Sequence, residues 1–434
     1  RINTDFIDNA AGVATSDREV NLKILLGLAM ADGRLDQEGR DRLLAAVGDQ
    51  VAADVLDQID HSVSALDRAV PDSAGDLDAY VALLRLLEER AQLDRRVEAL
   101  PDAEELAVRR QAGAGLIRPE LAVLLAYTKG DVVAQIVASP LTEDPSLAPL
   151  VAGYFPAPVR RVAGDLVGHH RLYRDLAATS LAGLIVDHMG ITWAHETAAE
   201  LGRTLEQVAG AWWSAWHLMG AAPAFAAVAG HAATLGADEE AALHRVLASA
   251  VGGLARTYLV TDPGTPPHAR IDADGPVMAA MTAPDVDGLF GDADKLTAAA
   301  SEWATRSRVA DVALVQRATG RSVADVTAAL AAVDAGGGTG GVSALLAGLA
   351  PAGRWGRWQV RALQDDLDRY RRRAAAEALA ARPGEPPEAA VGEWLAGRQG
   401  ALAAARRLRA AGETDYAEAL AGAALAVRFL IEGL

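Results

Sequence analysis

Apolar residues recur every three or four positions along most of this chain, the spacing of a helix that buries one face. Between Asp17 and Met30, Val20, Ile24 and Leu28 share such a face; after Pro119, so do Leu121, Leu124, Leu125 and Thr128. Pro119 suits the opening of a helix, where its missing N–H leaves no bond unmade. Another stripe near the C-terminus runs through Ala417, Leu420, Ala421, Ala424, Val427 and Ile431. Only the start departs from this period. Arg1 to Ile7 alternates polar and apolar residues, which predicts a strand. Interruptions rich in Pro, Gly and Asp at Pro71–Gly75, Pro140–Pro158, Asp262–Pro284, Gly336–Gly341 and Arg382–Pro387 predict loops between bundled helices. The expected fold is mainly α, a multi-helix chain behind one short strand.

Leu201-Gly-Arg-Thr-Leu-Glu-Gln-Val208 echoes Thr319-Gly-Arg-Ser-Val-Ala-Asp-Val326. In each, a hydroxyl (Thr204 or Ser322) precedes a polar side chain three residues on, the arrangement of a capping box. Helix-start chemistry accounts for the echo as well as duplication does.

Composition narrows the classes. The chain has 434 residues, 51% of them hydrophobic and 23% charged, which is ordinary globular usage. It has no cysteine, so disulfides and thiolate metal sites are excluded. No secretory leader is evident, and no apolar run approaches the roughly 18 residues a spanning helix requires. A soluble cytoplasmic chain without a membrane partner is expected. The net charge of −17 repels phosphate backbones. Two arginine clusters, Arg369 with Arg371 to Arg373 and Arg406 with Arg407 and Arg409, sit in helical stretches and read as solvated faces. No nucleic-acid partner is expected. The nine histidines lack metal spacing: His169 and His170 are adjacent, and His188 and His195 are separated by Gly190 without a third ligand.

Three motifs invite functional readings. Gly336, Gly338 and Gly341 spell G-x-G-x-x-G, but a dinucleotide fingerprint must follow a strand, and Asp325–Asp334 reads as helix. Trp212, Trp213 and Trp216, and Trp355 with Trp358 among Arg354 and Arg357, read as packing, the second pair with cations stacked on rings. The third is Asn9-Ala-Ala-Gly-Val-Ala-Thr-Ser16-Asp-Arg-Glu19. Ser16 and Glu19 make a capping box for a helix from Asp17, with Gly12 easing a strand-to-helix turn. Such a turn also makes an anion site, because free N–H groups and the helix dipole converge there.

This segment resembles the substrate turn of the glutamate dehydrogenase family, which reads Asn-Ala-Gly-Gly-Val with a Ser three residues on. Asn9, Ala10, Gly12, Val13 and Ser16 match it. The longer wording from Arg1 to Val13, and Ser16-Asp-x-Glu-Val-Asn-x-Lys-Ile-Leu-Leu26, is similar to the large bacterial NAD-dependent branch. So are Arg118-Pro-Glu-Leu-Ala-Val-Leu-Leu-Ala-Tyr-Thr-Lys129, Met189-Gly-Ile-Thr-Trp193, the run around Trp358, and Asp415 to Leu430, in order. The resemblance implies that Asn9 faces the nicotinamide ribose of NAD, Val13 the substrate side chain, and Ser16 the α-carboxylate of glutamate. Ala11 departs from the pattern, where the wider family has Gly, which bears on how closely the backbone approaches the ligand.

The resemblance further implies oxidative deamination of L-glutamate to 2-oxoglutarate and ammonium with NAD reduction, in a homo-oligomer. Residues 1–105 are expected to be the tail of an α/β dehydrogenase catalytic domain, and 106–434 an all-α C-terminal domain. The chain opens without an initiator Met on what reads as a strand into a functional turn, so a fragment is expected, holding no catalytic residue and inactive alone. Two other classes stay open: a non-catalytic helical scaffold, and a regulatory or oligomerisation module.

Overall fold

In the computed structural model, residues 3–90, 92–281, 302–337, 339–349, 351, 353–400, 403 and 416–432 are described. They form helices joined by turns, with no strand among them. The strand expected over Arg1–Ile7 is not formed. Arg1 and Ile2 lie outside the described residues, and Asp5–Asp8 is one helical turn. The reason is local. Asn3 donates from its backbone N–H (3.0 Å) and its side-chain amide (2.6 Å) to the Asp8 carboxylate, closing a turn over the segment that a strand would need open.

The chain makes two compact units, Arg1–Ser214 with Pro263–Ala269, and Ala215–Asp262 with Arg270–Leu434. In the first, α1 (Asp5–Asp8), α2 (Ala10–Ala31), α3 (Gln37–Gly75), α4 (Leu77–Glu89), α5 (Ala103–Gln111), α6 (Arg118–Val137), α7 (Ala148–Gly153), α8 (Ala157–Ala163), α9 (Tyr173–Met189) and α10 (Trp193–Leu201) follow in order. Helix α6 lies along α9, and α3 packs on both. One core gathers Ile7, Leu66, Leu84, Leu87, Leu124 and Val186; a second joins the buried face of α2 to Val47, Phe155 and Val159.

Leu121, Leu124, Leu125 and Thr128 are all fully buried, as their spacing predicts. Helix α2 is rotated from expectation. It buries Leu22, Leu25, Leu26 and Ala29, and leaves Val20 46% exposed. Leucines carry the larger area, so the Leu face wins over the Val20–Ile24–Leu28 face. The break expected at Pro71–Gly75 comes later, at Asp76, because α3 runs through Pro71. Burial of Leu66, Ala69 and Ser73 beside it outweighs the missing ladder bond.

In the second unit, helix Gly353–Ala381 packs against helices Val309–Thr319, Val323–Gly336, Pro387–Ala396 and Tyr416–Glu432. The C-terminal stripe is also rotated: Ala419, Ala423, Ala426, Val427 and Leu430 are the buried residues. The first arginine cluster is not wholly a solvated face. Arg371 is buried and pairs with Asp334 and Asp368, while Arg372 reaches Asp311 at 2.6 Å. Arg369 and Arg373 stay outward on Asp366 and Glu377. Burial, reinforced by the charge of Asp311, pushes the Asp368 carboxyl up to about 7 against the pull of Arg308 and Arg372. Arg406, Arg407 and Arg409 lie outside the described residues.

The echoed motifs are helix starts. Thr204 and Gln207 exchange reciprocal bonds (3.2 and 3.1 Å). At the second copy Ser322 accepts from the Asp325 N–H at 3.1 Å, while Asp325 turns to Arg321 instead. Among the described residues no single helix is long and apolar enough to cross a membrane; one bent pair, Val323–Gly336 with Thr339–Gly348, passes by length and composition.

Candidate functional site

Asn9 stands where two helices meet. Its N–H closes α1 on the Asp5 carbonyl (2.7 Å), and it occupies the N-cap position of α2. Helix α2 then runs unbroken from Ala10, so Ser16 lies within it and caps nothing; Glu19 pairs with Lys23. The expected capping box at Ser16 and the turn at Gly12 are therefore not formed. Ala10, Ala11 and Ala14 favour helix.

The consequence is an aligned strip. Asn9, Val13 and Ser16 stand at i, i+4 and i+7, one face of α2, and all three are exposed. The same face continues through Val20 and Lys23, opposite the buried Leu22, Leu25 and Leu26. Val13 is 78% exposed, and Phe6, seven residues before it, 43%. An amide, an apolar side chain and a hydroxyl thus lie in line on a face that the described residues leave uncovered.

The strip is tethered from α6. Arg118 donates from Nε to the Asn3 side-chain oxygen, from Nη1 to Asp67, and from Nη2 to the Val63 carbonyl (3.5 Å). Asn3 in turn holds Asp8, the residue before Asn9. The backbone and side-chain N–H groups of Asn3, with the attraction of Arg118, keep the Asp8 carboxyl below the usual carboxylate range. Ile7, buried beside Leu66 and Leu121, is the apolar half of the anchor.

Further along α6, polar side chains fasten other elements. Glu120 accepts from the Ile117 N–H (2.8 Å) and pairs with Arg109 at 2.6 Å, so the helix start is capped from within. Lys129 reaches Ser62 of α3 (3.0 Å) and Asp187 of α9 (2.7 Å). Asp131, 1% exposed, accepts from Arg90, from Gln92 (2.8 Å) and from His195 of α10 (2.7 Å). Burial alone would raise its pKa, but these three donors, His195 first, bring it down to about 2. Sequence reasoning missed these residues. The available signal was charge inside an otherwise apolar helical run, at Arg118, Glu120, Lys129 and Asp131.

The tempting motifs resolve differently. Gly336 ends one helix, Gly341 lies inside the next and Gly338 is outside the described residues. No strand leads in, so these glycines do not make a dinucleotide cradle. Among the described residues no group of three or more His, Asp or Glu could hold a metal. His170 is buried on the Asn21 carbonyl (3.2 Å), its neighbour His169 outward. Trp212, Trp213 and Trp216 are buried as packing residues. Trp355 is not: it is 72% exposed, edge-on to Trp358, over whose ring Arg354 sits at 4.3 Å.

The described residues make a multi-helix protein with one uncovered helix face near its start. The family model for the glutamate dehydrogenase C-terminal region matches residues 113–283 and 291–432, and that for the bacterial NAD-glutamate dehydrogenase catalytic domain matches residues 1–69. The chain belongs to the bacterial NAD-dependent glutamate dehydrogenase family. It is 40% identical over 210 residues to the NAD-specific glutamate dehydrogenase of Pseudomonas aeruginosa, covering 48% of this chain and 13% of that protein. The proteins of the same description from Halomonas elongata and Mycobacterium tuberculosis are 37% identical over 212 residues and 34% over 204, covering 49% and 47% of this chain and 13% of each relative. The alignments thus span about an eighth of those relatives.

Proposed function

We propose that this chain contributes one edge of the substrate site and a helical C-terminal domain to an NAD-dependent glutamate dehydrogenase, which deaminates L-glutamate oxidatively to 2-oxoglutarate and ammonium. The observation that carries this is the uncovered face of α2, on which Asn9, Val13 and Ser16 align within the segment matched by the catalytic-domain family model. A hydroxyl suits a carboxylate, an apolar side chain suits the glutamate methylenes, and an amide suits a ribose hydroxyl. Residues 1 to about 105 are the tail of the catalytic domain in this reading, and the remainder the C-terminal domain. A cytoplasmic homo-oligomer is part of the same proposal.

The described residues do not make a complete NAD site. Asn9 offers a single side chain, and no described strand supports a dinucleotide fold, so no step of hydride transfer is assigned to this chain. The scaffold alternative made Ser16 only a helix cap; no observation favours it, since Ser16 caps nothing.

The test is Ser16→Ala in the full-length enzyme. A hydrogen bond to a charged group is worth about 1.5–3 kcal/mol, so kcat/KM for glutamate should fall about 10- to 150-fold. Ser16 is exposed inside a helix, where Ala is the better helix former, so the melting temperature should hold or rise slightly. Ser16→Thr should also impair turnover, because its added methyl crowds the carboxylate. Unchanged kcat/KM in Ser16→Ala would remove the proposed contact.

A further inference from the structure

Arg118 is not part of the strip, yet a chain of hydrogen bonds through Asn3 links it to Asp8, the residue before Asn9. Asp67 and the Val63 carbonyl, both on α3, fix two of its guanidinium nitrogens, and the third holds the Asn3 side chain. Asn3 grips both oxygens of Asp8, and Asp8 precedes Asn9, the first residue of the strip. The Arg118 side chain is only 13% exposed, and its bonds to Asn3 and the Val63 carbonyl are part-buried, while Asp67 and the Asn3–Asp8 pair face solvent. Its planar fork can serve Asn3 and α3 together, whereas a lysine can point at one of them at a time.

We infer that Arg118 is a positioning residue for glutamate binding: it sets where α1 and the start of α2 sit, and so the placement of Asn9, Val13 and Ser16. The inference rests on the proposed role of the strip. It assigns the C-terminal region a task in catalysis without contact to substrate. Ile7, buried in the core shared with α3 and α6, keeps the segment attached when the polar tether is cut. Loss of Arg118 therefore shifts and loosens the strip without unfolding it.

The test is a double-mutant cycle in the full-length enzyme, using Arg118→Lys, which keeps the charge beside Asp67, together with Ser16→Ala and the combined variant. A misplacement of about an ångström costs up to about a hundredfold. Arg118→Lys alone should lower kcat/KM for glutamate about 10- to 100-fold. In the Ser16→Ala background the same change should cost clearly less, since one of the three groups it places is already gone. Arg118→Ala, run beside it, should show the same non-additivity at a lower melting temperature. Equal losses in both backgrounds, with Ser16→Ala itself impaired, would overturn the positioning role and leave the substrate contact standing. A kinetically silent Ser16→Ala would overturn the substrate contact, and the positioning role with it.

Discussion

Asp131→Asn is the sharpest probe of how the first unit is held together. The native carboxylate is buried and takes a donor from each of three places: Arg90 at the end of α4, Gln92 in the loop after it, and His195 on α10. An isosteric amide keeps the volume but presents an NH2 group where one of three donors now points. His195 is the partner that suffers, being 5% exposed, whereas Arg90 at 35% can turn to water. The loss should be about 2–3 kcal/mol, below the range for a fully sealed ion pair because Arg90 has that escape. For a unit of this size the melting temperature should fall by about 5–10 °C. The pH dependence supplies a second check. The folded pKa is about 2 against an ordinary 3.8. This depression contributes about 2 kcal/mol that is fully present above about pH 5. It is lost as pH falls through 4 toward 2, where the native carboxylate takes up its proton. Thermal unfolding followed by circular dichroism between pH 7 and pH 2.5 should show the gap between parent and variant narrowing over that window. A gap that stays constant with pH, or no gap at pH 7, would refute the account.

Two other outcomes follow from the same packing. A Cβ on Gly115 would lie 2.3 Å from Ser73 Oγ and 2.5 Å from the Ala74 nitrogen, whereas one on Gly130, in the middle of α6, meets nothing within 4 Å. Urea unfolding should therefore find Gly115→Ala destabilised by about 2–3 kcal/mol and Gly130→Ala stabilised by about 0.5–1 kcal/mol. The purified 434-residue chain, given glutamate and NAD, should generate no NADH; a rate proportional to its concentration would contradict the single-edge reading of Asn9, Val13 and Ser16.

The helical character was legible because a period near 3.6 survives wherever apolar side chains outnumber polar ones on one face. The choice of face was legible only where the contrast was strong. Helix α6 has Leu121, Leu124, Leu125 and Thr128 in register and buries all four, with Ala122, Val123, Val132 and Ile136 buried besides. Helix α2 and the C-terminal helix carry Ala, Val or Leu on several faces, so the partner surface decided which stripe went inward. Polar–apolar alternation over Arg1–Ile7 predicted a strand because periodicity ignores side-chain bonds to backbone, and Asn3 bonding to Asp8 reversed the outcome. Arg371 and Arg372 looked solvated because their acidic partners Asp334 and Asp311 lie in other helices. Asn9, Val13 and Ser16 were found through resemblance; that they share one open face is a property of the helix, which a turn would not have given them.

The run Arg118–Lys129 stood out by resemblance, yet none of its residues belongs to the family's chemistry as the sequence presents it. Its geometry shows what the run does in the fold. Arg118 ties α6 to Asn3 and α3, Tyr127 donates to Glu98 in the loop before α5, and Lys129 joins α3 to α9. Asp131, two residues on, adds α10. Between them these polar positions reach Asn3, α3, the Glu98 loop, α9 and α10. Helix α3 begins within the segment matched by the catalytic-domain model, and α6 and α9 lie in the C-terminal match. The bonds from Arg118 and Lys129 therefore cross between the two matched regions inside one compact unit. The run docks Asn3, α3, the Glu98 loop and α9 onto α6.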